Sequence, residues 1–229
     1  QDPELRLGLG LVGAVGLGLW LLEVAHAWAI DAPGGPLAAL AALWAGLFTA
    51  TSFLTTTGFV SADWGQGMLW SGFHAPGVIL IGLCLVGGGL ATTAGGVKLM
   101  RVYALYRHGT REVERLIHPS SVAGAGRMGR FLRRKGAQLA WVFVMLFLLS
   151  IAVLMAGLTL AGLEFEPAMV LSVAALTTTG PLAEWGGATP IFYGAQSESV
   201  KFLLGVAMVL GRVELFALIT LLAPDGWRN

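Results

Sequence analysis

The sequence predicts an all-α membrane protein made of two parallel repeats, each a membrane span, a short pore helix and a second span. Three observations predict it. Of the 229 residues, 56% are hydrophobic and 12% charged, about half the charged fraction of a soluble domain. The tetrapeptide Thr-Thr-Thr-Gly occurs at 55–58 and again at 177–180, 122 residues apart. Eight of the 14 Lys and Arg residues lie between Arg107 and Lys135.

The first repeat opens with an apolar stretch, Leu7–Trp28, which exceeds the roughly 20 helical residues that a bilayer core requires. A turn cluster rich in Pro and Gly follows at 31–36. Leu37–Leu54 is also apolar, but it leads into a polar segment and no basic loop follows it. We therefore predict that it is re-entrant, entering and leaving on one side. Trp70–Val86 is predicted as the second span.

The second repeat has the same order of elements. Ala137–Leu163 is long enough to span. Pro167 suits the first turn of a helix, and Pro167–Leu176 would be about 15 Å long, too short to cross. Ser199–Leu222 is the last predicted span. The predicted divisions are a first repeat at 1–106, a basic linker at 107–136 and a second repeat at 137–229.

The two tetrapeptides are the first candidate site. Polar backbone at membrane depth survives only where it is buried in protein or lines a wet cavity. A row of carbonyls that replaces the water around K⁺ is such a cavity. Each copy follows a short helix whose negative C-terminus favours a cation, and a final glycine can adopt φ > 0. We expect K⁺ to be bound by Thr55, Thr56, Thr57, Gly58, Thr177, Thr178, Thr179 and Gly180.

A break in the second span is the next candidate. The helix is interrupted by glycines and threonines and resumes from Val97 to about Tyr106. A phosphate-binding loop is excluded, because the spacing is one residue too long and no Gly-Lys follows. Either this is a flexible kink, or its small side chains lie across the pore and gate it. The gating residues would be Gly87, Gly88, Gly89, Thr92, Thr93, Gly95 and Gly96.

Arg212 lies inside the last predicted span, where a charge is costly and usually faces protein or water. It either forms a pair with Glu214 at the inner interface or acts as an electrostatic barrier beneath the filter. We include it among the gating residues.

Other classes of function lack the residues they need. An inverted-repeat transporter would place acids at mid-membrane, and no span centre has one. An intramembrane enzyme needs paired catalytic groups, but His26 and His74 lie near outer ends and His108 and His118 in the linker. The linker has no adjacent fold to present it to nucleic acid, so we expect a lipid-attracted cytoplasmic segment. Neither catalysis nor a cofactor is expected.

Several motifs resemble the TrkH/KtrB potassium-uptake family: 55–63, 94–101, 118–119, 179–181 and 210–214. The resemblance implies the third and fourth of four repeats around one pathway, with an N-terminal half missing from a chain that begins without Met. It implies K⁺ uptake across the bacterial inner membrane through a carbonyl-lined filter gated by an intramembrane loop. It also implies a homodimer and a cytoplasmic nucleotide-binding regulator of the TrkA/KtrA kind. The alternative is a sodium-coupled or mixed-cation secondary transporter.

The charge asymmetry predicts the topology, because basic loops remain in the cytoplasm. A cysteine at Ala125 should resist a membrane-impermeant maleimide applied to intact cells, whereas cysteines at Asp63 and Glu184 should react. Labelling of position 125 from outside would reverse this orientation.

Overall fold

A computed structural model describes residues 3–30, 35–71, 77–89, 92–117 and 127–212. In these ranges the regular structure is helical, with no strand, as predicted. The helices are α1 Pro3–Ala29, α2 Pro36–Leu54, α3 Ala62–Ser71, α4 Gly77–Val86, α5 Leu99–Ile117, α6 Arg127–Leu160, α7 Phe165–Leu176, α8 Leu182–Trp185 and α9 Glu198–Arg212. A short 3₁₀ turn lies at Tyr193–Ala195.

Among the described residues, three helical stretches are long and apolar enough to cross a membrane: Glu4–Ala29, Pro36–Leu54 and Gly136–Leu160. The first and last correspond to predicted spans. The second is α2, which meets the criterion by length and composition alone, so its re-entrant path stays a prediction. The predicted span Ser199–Leu222 is described only as far as Arg212, and residues 72–76 of Trp70–Val86 lie outside the described ranges.

The short helix α7 forms the centre of the second repeat. It packs against α4, α6, α8 and α9, and its side chains from Val170 to Leu176 are all buried. A helix that is apolar on every side is stable only when it is enclosed in this way. The corresponding helix α2 packs against α1, α3 and α4. Helix α4 therefore contacts α2 and α7, the two helices that precede the Thr-Thr-Thr-Gly tetrapeptides, and joins the two predicted repeats.

The predicted break follows α4. Helix α4 ends at Val86 and α5 begins at Leu99, so the helix is interrupted where the glycines occur. Two hydrogen bonds fasten the ends of this glycine-rich loop (87–96): Val97 N–H donates to the Leu85 carbonyl (3.0 Å) and Leu99 N–H to the Gly88 carbonyl (3.0 Å). The interruption is a closed loop rather than a hinge between two free helix ends.

Helical structure extends into the basic linker predicted at 107–136. Helix α5 continues past Tyr106 to Ile117, and α6 begins at Arg127. Basic and apolar residues alternate along α5 at helical spacing. A prediction based on charge alone assigns this segment to a loop. Residues 118–126 between the two helices lie outside the described ranges.

Candidate filter and gate

The first Thr segment (Thr55–Gly58) begins where α2 ends in a left-handed turn. Thr56 has φ +56°, and its N–H donates to the Phe53 carbonyl at 3.1 Å. The next N–H, of Thr57, reaches back to the Ser52 carbonyl at 2.9 Å. These two hydrogen bonds around one left-handed residue form a Schellman motif, in which threonine occupies the position that glycine usually takes.

The second Thr segment (Thr177–Gly180) repeats this geometry at the end of α7. Thr178 also has φ +56°. Its N–H donates to the Ala175 carbonyl at 3.1 Å, and Thr179 N–H donates to the Ala174 carbonyl at 2.9 Å. Every donor and acceptor lies 122 residues after its counterpart in the first segment. The sequence repeat is therefore also a repeat of backbone conformation.

The hydroxyl groups repeat as well. Thr55 Oγ1 and Thr57 Oγ1 are 3.0 Å apart, and Thr177 Oγ1 donates to Thr179 Oγ1 at 3.1 Å. In each segment the first and third threonines are thus tied by a side-chain hydrogen bond. Thr55 and Thr57 are exposed, whereas Thr177 and Thr179 are fully buried.

The two segments lie side by side. A β-carbon built on Gly58 would come within 3.0 Å of Thr179 Cγ2 and 2.9 Å of Pro181 Cδ. Gly58 also has φ +83°, a conformation that L side chains rarely adopt. The structure thus brings the two predicted segments into contact at Gly58, where both the space and the backbone require glycine.

The final glycines differ in conformation. We expect φ > 0 at both, and this holds at Gly58 but not at Gly180. Gly180 precedes Pro181, which restricts the backbone of the residue before it. A β-carbon at Gly180 would meet nothing within 4 Å. The Gly-Pro dipeptide is the sequence signal for this difference.

The glycine-rich loop touches both Thr segments through one residue. Gly95 N–H donates to Thr56 Oγ1 at 2.9 Å, in a buried hydrogen bond. On its other side, a β-carbon at Gly95 would collide with the Thr177 carbonyl oxygen. Gly95 therefore lies between the two segments, so closely that only glycine fits.

Within the loop, the other predicted gating residues contact one another. Thr92 Oγ1 donates to the Gly89 carbonyl at 2.6 Å. A β-carbon on Gly87 would collide with the Gly95 carbonyl, and one on Gly96 would come within 2.5 Å of the Cys84 carbonyl. The loop is thus folded back on the end of α4. Its residues 90–91 lie outside the described ranges.

Arg212 reaches this loop from α9. Its Nη1 donates to the Thr93 carbonyl at 2.9 Å. The preceding residue, Gly211, lies against the Leu176 carbonyl at the end of α7, so the arginine is next to the start of the second Thr segment. Glu214, the alternative partner, lies outside the described residues.

A cavity of about 240 Å³ adjoins the loop. Its lining comprises loop residues 92–96, Lys98, the rings of Phe143 and Phe147 on α6, and the end of α9 at 210–212. The sequence places Lys98, part of the 94–101 motif, in the resumed helix, but its φ of +74° puts it in the turn before α5 begins at Leu99.

Tyr193 is a residue that the sequence did not indicate. Its hydroxyl donates to the Gly180 carbonyl at 3.2 Å. Burial raises the pKa of Tyr193 to about 12, so this hydroxyl remains protonated and can donate at physiological pH. The two residues are 13 positions apart. The one-turn helix α8 and an irregular segment separate them, which leaves no periodicity to detect.

Comparison with known proteins identifies the family. The sequence model of the TrkH family, described as a cation transport protein, matches residues 7–227. The Trk system potassium uptake protein TrkH of Halomonas elongata is 32% identical over 234 residues, covering 100% of this chain and 44% of that protein. TrkH of Escherichia coli K12 is 28% identical over 233 residues, again covering 100% and 44%.

The fold agrees with this assignment. The crystal structure of the potassium transporter TrkH from Vibrio parahaemolyticus matches with a TM-score of 0.80 at 28% identity, covering 99% of this chain and 45% of that chain. The chain therefore spans less than half the length of these relatives. The family model matches almost the whole chain, the chain contains apolar helices long enough to cross a bilayer, and its fold matches that of a solved TrkH. This multi-pass membrane chain therefore belongs to the TrkH family of cation transport proteins.

Proposed function

We propose that this chain supplies two of the four repeats of a potassium-uptake pathway in the bacterial cytoplasmic membrane. The observation that carries the proposal is the identical left-handed turn that ends α2 and α7 and places the two Thr segments in contact. The names of the relatives, which are potassium uptake proteins, support K⁺ as the transported ion. We propose that the ion passes without a chemical step or a cofactor in this chain.

The proposed filter uses carbonyl oxygens in place of water around the ion. A left-handed residue directly after a helix turns the chain sharply away from the helix axis and leaves the following carbonyls outside the helical ladder. The negative ends of α2 and α7 lie at the same place and favour a cation. We propose that the two Thr segments line the ion path together with two equivalent segments from the missing half.

The glycine-rich loop is the proposed gate. Gly95 fits between the two segments, so a shift of the loop must break its hydrogen bond to Thr56. We propose that Arg212 holds the loop closed through the Thr93 carbonyl and also repels cations there. A charged hydrogen bond is stronger than a neutral one, so this contact can hold the loop in its closed position.

The partners remain proposals that the family resemblance supports. We propose a missing N-terminal half with two further repeats, a homodimer, and a nucleotide-binding regulator on the cytoplasmic side. Large apolar side chains on α1 and α6 are exposed, among them Leu5, Leu9, Leu21, Leu149 and Leu160. Contact with lipid or with the missing half would cover this surface.

Replacing Gly58 by Ser in the full-length protein should reduce discrimination of K⁺ over Na⁺ about tenfold, because a left-handed residue with a β-carbon costs about 1–2 kcal/mol. Gly180→Ser should have a smaller effect, since its φ is not positive and the space around it is open. Uptake by K⁺-starved cells, with Na⁺ as competitor, measures the difference.

Gly162→Ser is the matched control. Gly162 has φ +98° and no atom near a β-carbon, so it carries the same backbone penalty outside the proposed filter, in the turn between α6 and α7. Unchanged K⁺ affinity and Na⁺ block in both Gly58→Ser and Gly180→Ser would show that these glycines do not line the filter.

Replacing Arg212 by Ala should raise basal flux at least about tenfold, the size expected for one charged hydrogen bond. Shortening the loop between its fastened ends should act in the same direction. Rubidium flux per folded molecule in liposomes is the measurement. Lys201→Ala is the control, because Lys201 is a half-buried basic residue on the same helix that is paired with Glu198. Normal or reduced flux in Arg212→Ala would make the arginine a packing element and remove its role as a barrier.

A further inference from the structure

The outer loop (186–197), between α8 and α9, is fastened to the second repeat at three places. Glu166 Oε1, in the first turn of α7, accepts the Ala188 N–H at 2.6 Å. The Ala183 carbonyl accepts the Ile191 N–H at 3.0 Å. The third fastening is the hydrogen bond from the Tyr193 hydroxyl to the Gly180 carbonyl at 3.2 Å. The loop therefore connects the start of the short helix to the end of the second Thr segment.

The Gly180 carbonyl oxygen receives two donors. One is the Tyr193 hydroxyl and the other is the Ala183 N–H, also at 3.2 Å. A carbonyl oxygen has two lone pairs, so both are engaged within the protein. An oxygen that coordinates K⁺ must direct a lone pair at the ion, and this oxygen has none to spare.

The first Thr segment has a different ending. Gly58 is left-handed, and its N–H donates back to the Ser52 carbonyl at 3.3 Å. Within the described part of the chain, no hydroxyl donates to the Gly58 carbonyl. The two segments share their first three residues in conformation and then diverge at the glycine.

We propose that Tyr193 is a positioning residue that fixes the Gly180 carbonyl as a structural acceptor, so that the second segment coordinates the ion through its threonines alone. This inference rests on the proposed filter and goes further, because it makes the two repeats unequal in the ligands they offer. By holding the end of the second segment, Tyr193 sets the selectivity for K⁺ over Na⁺. A filter wall that can relax inward fits the smaller ion better, and the hydrogen bond prevents that movement.

The test compares Tyr193→Phe with Tyr103→Phe in the full-length protein. The first variant removes only the hydroxyl that reaches Gly180. The second removes a hydroxyl from α5, where the ring packs near Arg107, away from both Thr segments. Rubidium flux per folded molecule in liposomes, with Na⁺ as competitor, gives the selectivity. We expect it to fall about two- to tenfold in Tyr193→Phe, the range that one hydrogen bond is worth, and to remain unchanged in Tyr103→Phe.

Gly58→Ser, measured alongside, separates failure of this inference from failure of the filter. Relaxed selectivity in Gly58→Ser with wild-type selectivity in Tyr193→Phe overturns the positioning role and leaves the filter standing. Wild-type selectivity in both overturns both. If Tyr193→Phe yields no folded protein, Tyr193→Met removes the same hydroxyl with a flexible apolar side chain, and wild-type selectivity in that variant overturns the proposal.

Discussion

The left-handed turn at the second threonine of each tetrapeptide is the constraint on which the rest of the structure depends. A helix that ends inside a membrane protein leaves carbonyls without partners, and lipid cannot supply them. The Schellman hydrogen bonds around Thr56 and Thr178 meet this need. They also redirect the chain at once, which is how a segment only four residues long can run beside its equivalent from the next repeat.

The same turn links the proposed filter to the proposed gate. The hydroxyl of Thr56, the left-handed residue, accepts the N–H of Gly95 on the glycine-rich loop in a buried hydrogen bond. The loop in turn is held by Arg212 through the carbonyl of Thr93. A movement of α9 at Arg212 can therefore reach the first Thr segment through two hydrogen bonds and one short loop. This chain of contacts crosses from the second repeat to the first.

The sequence predicts site residues where a motif repeats or where a residue type is energetically costly in a membrane. The paired tetrapeptides, the break after Val86 and the charge within the last span all pointed to residues that the structure brings together around Gly95. The contact of Tyr193 with Gly180 could not be predicted, because it depends on how an irregular segment packs and leaves no periodicity. Positive φ at two threonines was likewise unpredictable, since β-branched residues normally avoid it. The predicted end of α5 at about Tyr106 is too early, because the basic residues beyond it obscure the helical spacing of the apolar ones.

The most direct test of the account is a structure of the full-length protein with thallium in place of potassium, because its anomalous signal locates the ion. The account predicts ion density between the carbonyls of the two Thr segments, close to Thr56 and Thr178, and none within coordination distance of the Gly180 oxygen. Density elsewhere in the molecule, with none beside either segment, would contradict the claim that these turns form a cation filter.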